Sequence, residues 1–526
     1  MSAAWPLGPV AVLGNGPVGQ TAALLLARWG VPAVVLDQRP RRDPVGSKAI
    51  CQQRDVLDIW ESVGAGARIA AEGVTWTTAR TFHRGRELFS YAFADAGRSA
   101  FPPFVNISQS RTEQVLDECI AAEPLIDVRW GHRVADVVQD ADGVTLRCAN
   151  GAELRAPYLL ACPGAAGGEL RRRLGVSFDG RSFADRFLIC DIRTDLPALA
   201  TERRFHFDPE WNPGRQVLIH PCPDSTFRID WQVPAGYDEA ALAADAVSGA
   251  LDRRIRAIIG EHDYTVVWSS VYRFHSRCVD RMRVGRVLLA GDAAHLYSPF
   301  GARGLNSGVA DAENAAWKIA YVGRDWASEA LLESYHDERH AAARENLAIT
   351  TATMAFLVPQ DAAQAAHRRD VLARAADDPA ARALVDSGRL AEPFWYVDSP
   401  LTTPDPGRPF AGRPPRGAMP PAAPGIVVPD GPLRGSACTG AHGRARRFRE
   451  LARDGFLLLA TDGATPVVPE DHGGPVRALR LAEIDHTGAL ADALGARPGE
   501  VWIVRPDAHV AAVLTTPSPV QIAATP

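Results

Sequence analysis

The chain has 526 residues, of which 46% are hydrophobic and 23% are charged, and its formal net charge is −5. This length predicts two or three domains, and the mildly acidic balance without a strongly basic block indicates neither a nucleic-acid partner nor an anionic membrane surface. The eight cysteines form no CxxC pair, and the apolar runs are too short to span a bilayer. We therefore expect free thiols, no resident metal and a cytoplasmic location.

The first forty residues predict a complete β-turn-α-β unit. Residues 10–13 form a short apolar run and predict a buried strand, and residues 14–19 read Gly-Asn-Gly-Pro-Val-Gly. Residues 20–29 predict a helix, and residues 31–36 predict a second buried strand that ends at Asp37. A strand, a glycine-rich turn, a helix and a closing acidic residue are the context that a Rossmann-type dinucleotide fingerprint requires.

Each glycine of this fingerprint has a predicted task. Gly14 permits the tight turn, Gly16 lets the backbone approach a pyrophosphate, and Gly19 lets the helix pack closely on the strand. The N-terminus of the helix offers N–H donors to the phosphates, and Asp37 accepts hydrogen bonds from the ribose hydroxyls. The fingerprint alone does not distinguish FAD from NAD.

The middle of the chain has a different composition. Residues 75–110 and about 180–280 are rich in aromatic and β-branched side chains and predict a mixed or antiparallel sheet inserted into the first domain. Residues 286–291 predict another strand, residues 305–324 predict a helix, and further helices are expected over about 329–395.

The last quarter predicts a small α/β unit. Residues 402–425 are dense in Pro, Gly and Arg and predict a linker. Beyond it, residues 456–460 and 500–504 predict strands, and residues 482–494 predict a helix.

A second chemistry-bearing stretch follows the strand predicted at 286–291. Residues 291–295 read Gly-Asp-Ala-Ala-His, and residues 298–306 read Ser-Pro-Phe-Gly-Ala-Arg-Gly-Leu-Asn. We expect Asp292 to bind a ribityl hydroxyl and the N–H groups at 304–306 to hold the pyrimidine edge of a flavin, where a helix N-terminus stabilises negative charge. Taken alone, the stretch is more typical of a capped helix after a tight turn; its pairing with the fingerprint favours the flavin.

These stretches together resemble the class A, single-component FAD-dependent aromatic monooxygenases, the superfamily of para-hydroxybenzoate hydroxylase. The resemblance is closer to the branch of 3-(3-hydroxyphenyl)propionate and polyketide hydroxylases, which has a thioredoxin-like C-terminal domain. It covers most of residues 8–345 and implies further contacts with FAD, from Gln109 in Ser-Gln-Ser-Arg, from Lys48 or Arg54 near the pyrophosphate, and from Arg303 and Pro299 around the flavin. Lys48 and Arg54 are equally consistent with solvated helix residues. The whole expected cofactor set is Gly14, Gly16, Pro17, Val18, Gly19, Asp37, Gln38, Arg39, Lys48, Arg54, Gln109, Gly291, Asp292, Pro299, Gly301, Arg303, Gly304, Leu305 and Asn306.

The resemblance implies an α/β fold in which a Rossmann-type FAD-binding domain carries an inserted mixed β-sheet substrate domain and is followed by a thioredoxin-like domain. The expected boundaries are 1–75, 105–180 and 280–400 for the discontinuous FAD-binding domain with its helical segment, 76–104 and 181–279 for the substrate sheet, 401–425 for the linker and 426–526 for the C-terminal domain. Without a CxxC pair, that last domain is expected to be structural. A homodimer is expected by analogy only.

One family motif is altered. Where the family has Asp-Gly-Ala-Arg-Ser, residues 163–167 read Pro-Gly-Ala-Ala-Gly, so a carboxylate, a cation and a hydroxyl are missing. Two interpretations stay open. Other groups compensate and turnover persists, which we favour, or reduction of the flavin by an external nicotinamide is lost.

The activity implied by the resemblance is hydroxylation of a phenolic or polyketide-type aromatic substrate with NADPH or NADH and O₂, through a flavin hydroperoxide. The alternative is epoxidation, Baeyer–Villiger oxidation or nicotinamide-independent oxidation on the same scaffold, and a flavin-binding protein without catalysis is a third hypothesis. Candidate pocket residues from the middle sheet are His206, Trp211, His220, Arg228, Gln232 and Tyr272. His220 or Tyr272 is a candidate phenol base, and Arg228 pairs either with a substrate carboxylate or with Asp224 or Asp230.

Overall fold

The computed structural model describes residues 5–43, 46, 49–92, 99–415, 418–434, 438–440, 443–469 and 472–515. Within them the chain has a mixed α/β fold with several sheets. None of the helices in these ranges is long and apolar enough to cross a membrane.

A six-stranded sheet forms the core of the fingerprint region. In spatial order its strands are Arg283–Val284, Val287–Leu289, Leu159–Ala161, Val10–Leu13, Ala33–Leu36 and Ile126–Arg129. All neighbours pair in parallel except Arg283–Val284. The central strands are buried except for the partly buried Leu13, as expected for a parallel sheet covered on both faces. The helices of this region are Pro17–Arg28, Arg54–Glu61, Gly66–Glu72, Gln109–Ala121, Gly168–Arg173 and Arg303–Val322.

The sheet predicted for the middle of the chain has eight strands. In spatial order they are His295–Leu296, Tyr264–Val279, Phe178–Thr194, Thr226–Val233, Gln216–Cys222, Glu202–Phe207, Thr78–His83 and Arg86–Ala92. It is mixed because Glu202–Phe207 and Thr78–His83 run in parallel, whereas the other neighbours are antiparallel. One face, which includes Ile229 and Trp231, packs on helices Glu239–Ser248 and Ala250–Ile259. Side chains alternate along a strand, so Arg228 and Asp230 point to the opposite face.

Two small sheets were not expected from the sequence. One is the meander Val134–Gln139, Val144–Cys148 and Glu153–Ala156, and the other joins Cys51–Gln53, Phe104–Asn106 and Val74–Thr75. The predicted helices beyond residue 329 are Ala330–Leu357, Ala362–Arg374 and Pro379–Ala383. The helical prediction is wrong for residues 384–395, which form a turn, a bend and irregular segments.

The C-terminal region contains a four-stranded mixed sheet, in the order Val476–Arg480, Phe456–Ala460, Glu500–Val504 and Val510–Thr515. A short hairpin, Thr439–Gly440 with Gly443–Arg444, and helix Phe448–Ala452 precede it. The single helix predicted over 482–494 is wrong, because two short helices, Leu481–Ile484 and Ala489–Leu494, occupy this stretch. Gly488 has φ 75°, and Asp485 accepts a hydrogen bond from the Ala491 amide, so the chain turns between the two helices.

Candidate functional site

One cavity of about 660 Å³ lies between the loops of the six-stranded sheet and the polar face of the eight-stranded sheet. The cavity is lined by the fingerprint turn, by the loop after Val287–Leu289 and by side chains from four strands of the larger sheet. Its volume is of the size that ligand pockets have in proteins.

The fingerprint turn has the packing that a bound dinucleotide requires. Gly14 has φ 98°, and a Cβ atom there would lie 2.3 Å from the carbonyl oxygen of Cys162. A Cβ on Gly19 would lie 1.9 Å from the Gly14 carbonyl oxygen, so helix Pro17–Arg28 approaches the turn too closely for any side chain. A Cβ on Gly16, which lines the cavity, would meet no protein atom within 4 Å. The open side of the turn therefore leaves room for a ligand beside an uncapped helix N-terminus.

Asp37 holds the end of the second strand beside the cavity. Its carboxylate accepts hydrogen bonds from the amides of Asn15 and Arg39, each at 2.8 Å, and from the Arg39 guanidinium at 2.9 and 3.0 Å. Burial alone raises the pKa of Asp37, but the hydrogen bonds from Arg39 and Asn15 bring that pKa below its ordinary value. An ionised carboxylate in this position is suited to accept ribose hydroxyls.

The second loop is shaped by its backbone. Ala302 has φ 56° and precedes helix Arg303–Val322 without a side-chain cap. A Cβ atom on Gly304 would meet no protein atom within 4 Å, so the backbone there leaves room for a ligand. The guanidinium of Arg303 donates to the carbonyls of Arg389 and Leu390 at 3.0 and 3.1 Å, and burial lowers the pKa of Arg303 to about 10. Arg303 thus ties the 389–390 segment against the loop.

Behind this loop lies a buried carboxylate that sequence reasoning missed. Asp311 accepts a hydrogen bond from the Gly291 amide at 3.0 Å and lies 2.7 Å from His295 Nε2 and 2.7 Å from Arg339 Nε. Burial raises its pKa, but His295 and Arg339 outweigh burial and lower that pKa to about 2. The sequence offered one signal for Asp311, which is its position on the helix that begins directly after the loop.

The structure brings most of the expected cofactor residues to the cavity wall. Those that line it are Gly14, Gly16, Pro17, Val18, Asp37, Gln38, Arg39, Gln109, Asp292, Pro299, Gly301, Arg303, Gly304 and Leu305. Gly19, Arg54, Gly291 and Asn306 do not line it. The Asn306 side chain instead bonds to the backbone of Cys51 and Gln53, each at 3.0 Å. Lys48 lies outside the described residues.

The altered stretch forms part of the cavity mouth. Residues 162–167 line the cavity, and the short 3-10 helix Gly164–Ala166 leads into helix Gly168–Arg173. Nearby, Arg171 donates to the Ala293 carbonyl at 2.9 Å and lies 3.9 Å above the Phe178 ring. Arg171 therefore joins this stretch to the second loop.

Two of the three catalytic candidates line the cavity. His220 and Arg228 are cross-strand neighbours on its wall, and Arg228 donates to both oxygens of Asp191, at 2.7 and 2.8 Å. Arg228 therefore pairs within its own sheet, but the predicted partners Asp224 and Asp230 are wrong, because its partner is Asp191. Tyr272 does not line the cavity, and burial raises its pKa, which makes it a poor base near neutral pH.

The other pocket candidates contact residues of the eight-stranded sheet or its loops. His206 stacks on Phe82 with ring centroids 4.7 Å apart, and its pKa is lowered by burial to about 4. Trp211 lies beside His206, and Gln232 donates to Asp185 at 2.6 Å. None of these three candidates lines the cavity.

Two charged residues of the eight-stranded sheet that line the cavity were not among the catalytic candidates. Asp230 and Arg203 lie on neighbouring parts of the polar face, with His220 between their strands. The alternation over residues 228–233 was a signal for Asp230, since it shares the face of Arg228; Arg203 carried no comparable signal.

Comparison with known proteins agrees with this geometry. The family model described as "FAD binding domain" matches residues 8–350. A 3-(3-hydroxy-phenyl)propionate/3-hydroxycinnamic acid hydroxylase of Mycobacterium sp. (strain KMS) is 31% identical over 370 residues, which cover 70% of this chain and 62% of that protein. The 6-methylpretetramide 4-monooxygenase of Streptomyces rimosus is 30% identical over 96% of this chain and 90% of its own length. The crystal structure of the flavin-dependent monooxygenase PieE with FAD and substrate has a TM-score of 0.80 at 23% identity, covers 96% of both chains and shows the shared fold.

Proposed function

Since the chain belongs to the FAD-binding domain family, we propose that it is an FAD-dependent monooxygenase that hydroxylates a phenolic or polyketide-type aromatic substrate. NADPH or NADH is its proposed electron donor and O₂ its oxygen source. The match spans about 62% of the length of the first hydroxylases compared, so the activity of the whole protein is inferred from the site.

One observation carries this proposal: a single cavity connects the fingerprint turn and the second loop with the polar face of the eight-stranded sheet. A cofactor held at Gly16, Asp37 and Gly304 therefore shares one continuous space with a substrate held against His220 and Arg228. This continuity is what oxygen transfer to a ring requires, because the reacting groups must meet away from bulk water.

The residues of this chain have distinct proposed tasks. The open backbone at Gly16 accommodates the pyrophosphate, Asp37 accepts the ribose hydroxyls, and the N–H groups after Ala302 hold the flavin edge. FAD, when bound, supplies the electron transfer and oxygen activation that amino-acid side chains lack. The apolar wall, with Ile189 and Leu218, positions the ring and excludes water.

We also propose the domain organisation expected from the sequence. The six-stranded sheet with its helices supports a discontinuous FAD-binding domain, and the eight-stranded sheet supports an inserted substrate domain. The four-stranded sheet after residue 455 supports a thioredoxin-like structural domain, and a homodimer remains part of the proposal, to be tested by analytical ultracentrifugation.

Anaerobic reduction of the FAD-loaded protein tests the function directly. NADPH, and separately NADH, would be mixed with the protein with and without a panel of phenols while the flavin absorbance is followed. We expect bleaching that is faster with a bound phenol. In a separate aerobic turnover under ¹⁸O₂, we expect one ¹⁸O atom in the product. A flavin that neither nicotinamide reduces under any of these conditions would reject the proposal and favour oxidation driven by the substrate, as the altered residues 163–167 allow.

A further inference from the structure

A cluster of ionisable side chains forms the floor of the cavity on the polar face of the eight-stranded sheet. Asp230 and Arg228 come from strand Thr226–Val233, His220 from Gln216–Cys222 and Arg203 from Glu202–Phe207, and all four line the cavity. The fifth member, Asp191 of strand Phe178–Thr194, pairs with Arg228. Four strands thus contribute to one polar patch, which lies beside the apolar side chains of Ile189 and Leu218.

Asp230 differs from Asp191, whose two carboxylate oxygens both accept hydrogen bonds from Arg228. The Oδ1 atom of Asp230 is buried and has no hydrogen-bond partner in the described part of the chain. Its Oδ2 lies 3.8 Å from His220 Nε2, which exceeds hydrogen-bond length. Its side chain is only 17% exposed. A buried carboxylate without a donor is costly, and such groups persist where a ligand completes them.

We propose that Asp230 is the group that accepts the proton of the substrate's ring hydroxyl, an inference that rests on the proposed function. The phenol O–H bond breaks, the proton bonds to a carboxylate oxygen of Asp230, and the electron pair remains on the phenol oxygen. No electron leaves or enters the ring in this step. The phenolate that results is the electron-rich form that favours attack on the ring by an electrophilic oxygen.

The surrounding charges make this transfer feasible. Arg203 and Arg228 carry two positive charges, and Asp191 and an ionised Asp230 carry two negative charges. After the transfer the phenolate replaces Asp230 as the second negative charge, so the net charge of the buried cluster does not change. Since burial opposes any uncompensated charge, proton transfer within the cluster avoids the penalty that loss of the proton to solvent would bring.

The proton affinity of Asp230 also suits the task. Burial raises its pKa to about 7, with Asp191 acting in the same direction and Arg228 and Arg203 in the opposite one. The nearby His220 is neutral because burial, Arg203 and Arg228 hold its pKa well below the ordinary value. A base with a pKa near the working pH matches a phenol, with a pKa of about 10, better than an ordinary carboxylate does.

The test uses 4-nitrophenol, whose phenolate absorbs visible light, and the FAD-loaded native, Asp230→Asn and Asp185→Asn proteins. At about pH 9 the ligand and native Asp230 are both ionised and repel each other, whereas the amide that replaces this carboxylate in the Asp230→Asn protein is neutral. At that pH we expect Asp230→Asn to bind 4-nitrophenolate about tenfold more tightly than the native protein. This difference should vanish at about pH 5.5, where both Asp230 and 4-nitrophenol are protonated and no repulsion remains. Asp185→Asn, which changes a carboxylate of the same sheet outside the cavity, should match the native protein at both pH values.

The rate of hydroxylation should change in the direction opposite to the affinity for 4-nitrophenolate: the variant that binds more tightly should turn over more slowly. With 3-(3-hydroxyphenyl)propionate, a neutral phenol at about pH 7, Asp230→Asn should hydroxylate about a hundredfold more slowly, with partial recovery at higher pH and with activity retained in Asp230→Glu. Tighter binding of a phenolate together with slower turnover of a phenol is not the result of a merely structural defect.

Equal binding of 4-nitrophenolate by the native and Asp230→Asn proteins at about pH 9, or binding by neither, overturns the assignment. The binding measurement requires neither a nicotinamide nor O₂. A flavin that no nicotinamide reduces would therefore reject the proposed function, while the binding result would still decide the role of Asp230.

Discussion

Glu338 and Arg505 form a two-point ion pair, with distances of 2.5 and 3.0 Å, in the interior of the protein. Glu338 lies on helix Ala330–Leu357, and Arg505 directly follows strand Glu500–Val504 of the C-terminal sheet. Lys318 contacts the same carboxylate at 2.6 Å, and Asp507 pairs with Arg505 at 2.6 Å. The C-terminal sheet is therefore joined by a buried network of charges to the helices behind the second loop of the cavity.

Breaking this pair is expected to destabilise the whole chain. Arg505→Met leaves buried Glu338 and Asp507 without their shared partner, and we expect the free energy of unfolding to fall by about 3–5 kcal/mol in urea titrations. Arg147→Met removes an exposed pair with Glu153 and should leave the free energy of unfolding almost unchanged. Similar losses in both variants would contradict the structural importance of the buried network.

The fingerprint predicts a variant that separates cofactor binding from folding. Gly16→Ala adds a methyl group where the protein has no atom within 4 Å, so the apoprotein should lose less than about 1 kcal/mol of stability. The same methyl group occupies space meant for the pyrophosphate, and FAD should bind at least about tenfold more weakly. Titration of the apoproteins with FAD measures this, and Gly8→Ala, also in open space outside the cavity, is the matched control.

Protonation of the buried Asp311 should lower the stability of the protein at acid pH. Its pKa is about 2 in the folded chain against an ordinary 3.8, so its stabilisation is complete above about pH 4 and is lost as pH falls towards 2. The loss amounts to about 2 kcal/mol at most. Asp311→Asn should remove this part of the pH dependence, measured by unfolding between about pH 2 and 5, whereas an unchanged slope would contradict it.

Asp230 should affect stability with the opposite sign. Because its folded pKa of about 7 lies above the ordinary 3.8, the unfolded chain releases this proton more easily, and stability falls as pH rises through this interval. At about pH 8 the penalty is about 4 kcal/mol at most. Asp230→Asn should therefore melt at a higher temperature than the native protein at about pH 8, and the two should converge at about pH 4. A variant that melts lower at both pH values would show that Asp230 stabilises the fold.

Tyr272 is expected to be dispensable as a base. Its side chain lies outside the cavity beside Trp268, with ring centroids 6.3 Å apart. Tyr272→Phe should retain the native pH profile of hydroxylation, with a rate within about threefold of native, since a general base contributes about a hundredfold or more. A fall of that larger size with a shifted pH profile would return Tyr272 to the candidate bases.

Local patterns in the sequence determined the cofactor half of the site. The turn at residues 14–19 and the loop at residues 298–306 are specified by glycines whose freedom depends on a few neighbouring residues, so both could be found from spacing alone. The period of two over residues 228–233 likewise predicted a strand with one polar face.

Only the tertiary structure decided which side chains share that face. Asp230 meets His220 and Arg203 because three strands pair side by side, and Asp311 supports Gly291 because a helix packs beneath the loop. Even the break in the helix predicted at 482–494 depends on an Asp485 side chain that bonds to an amide six residues away. Register and burial arise from contacts between distant segments, and a pattern read along one segment does not contain them.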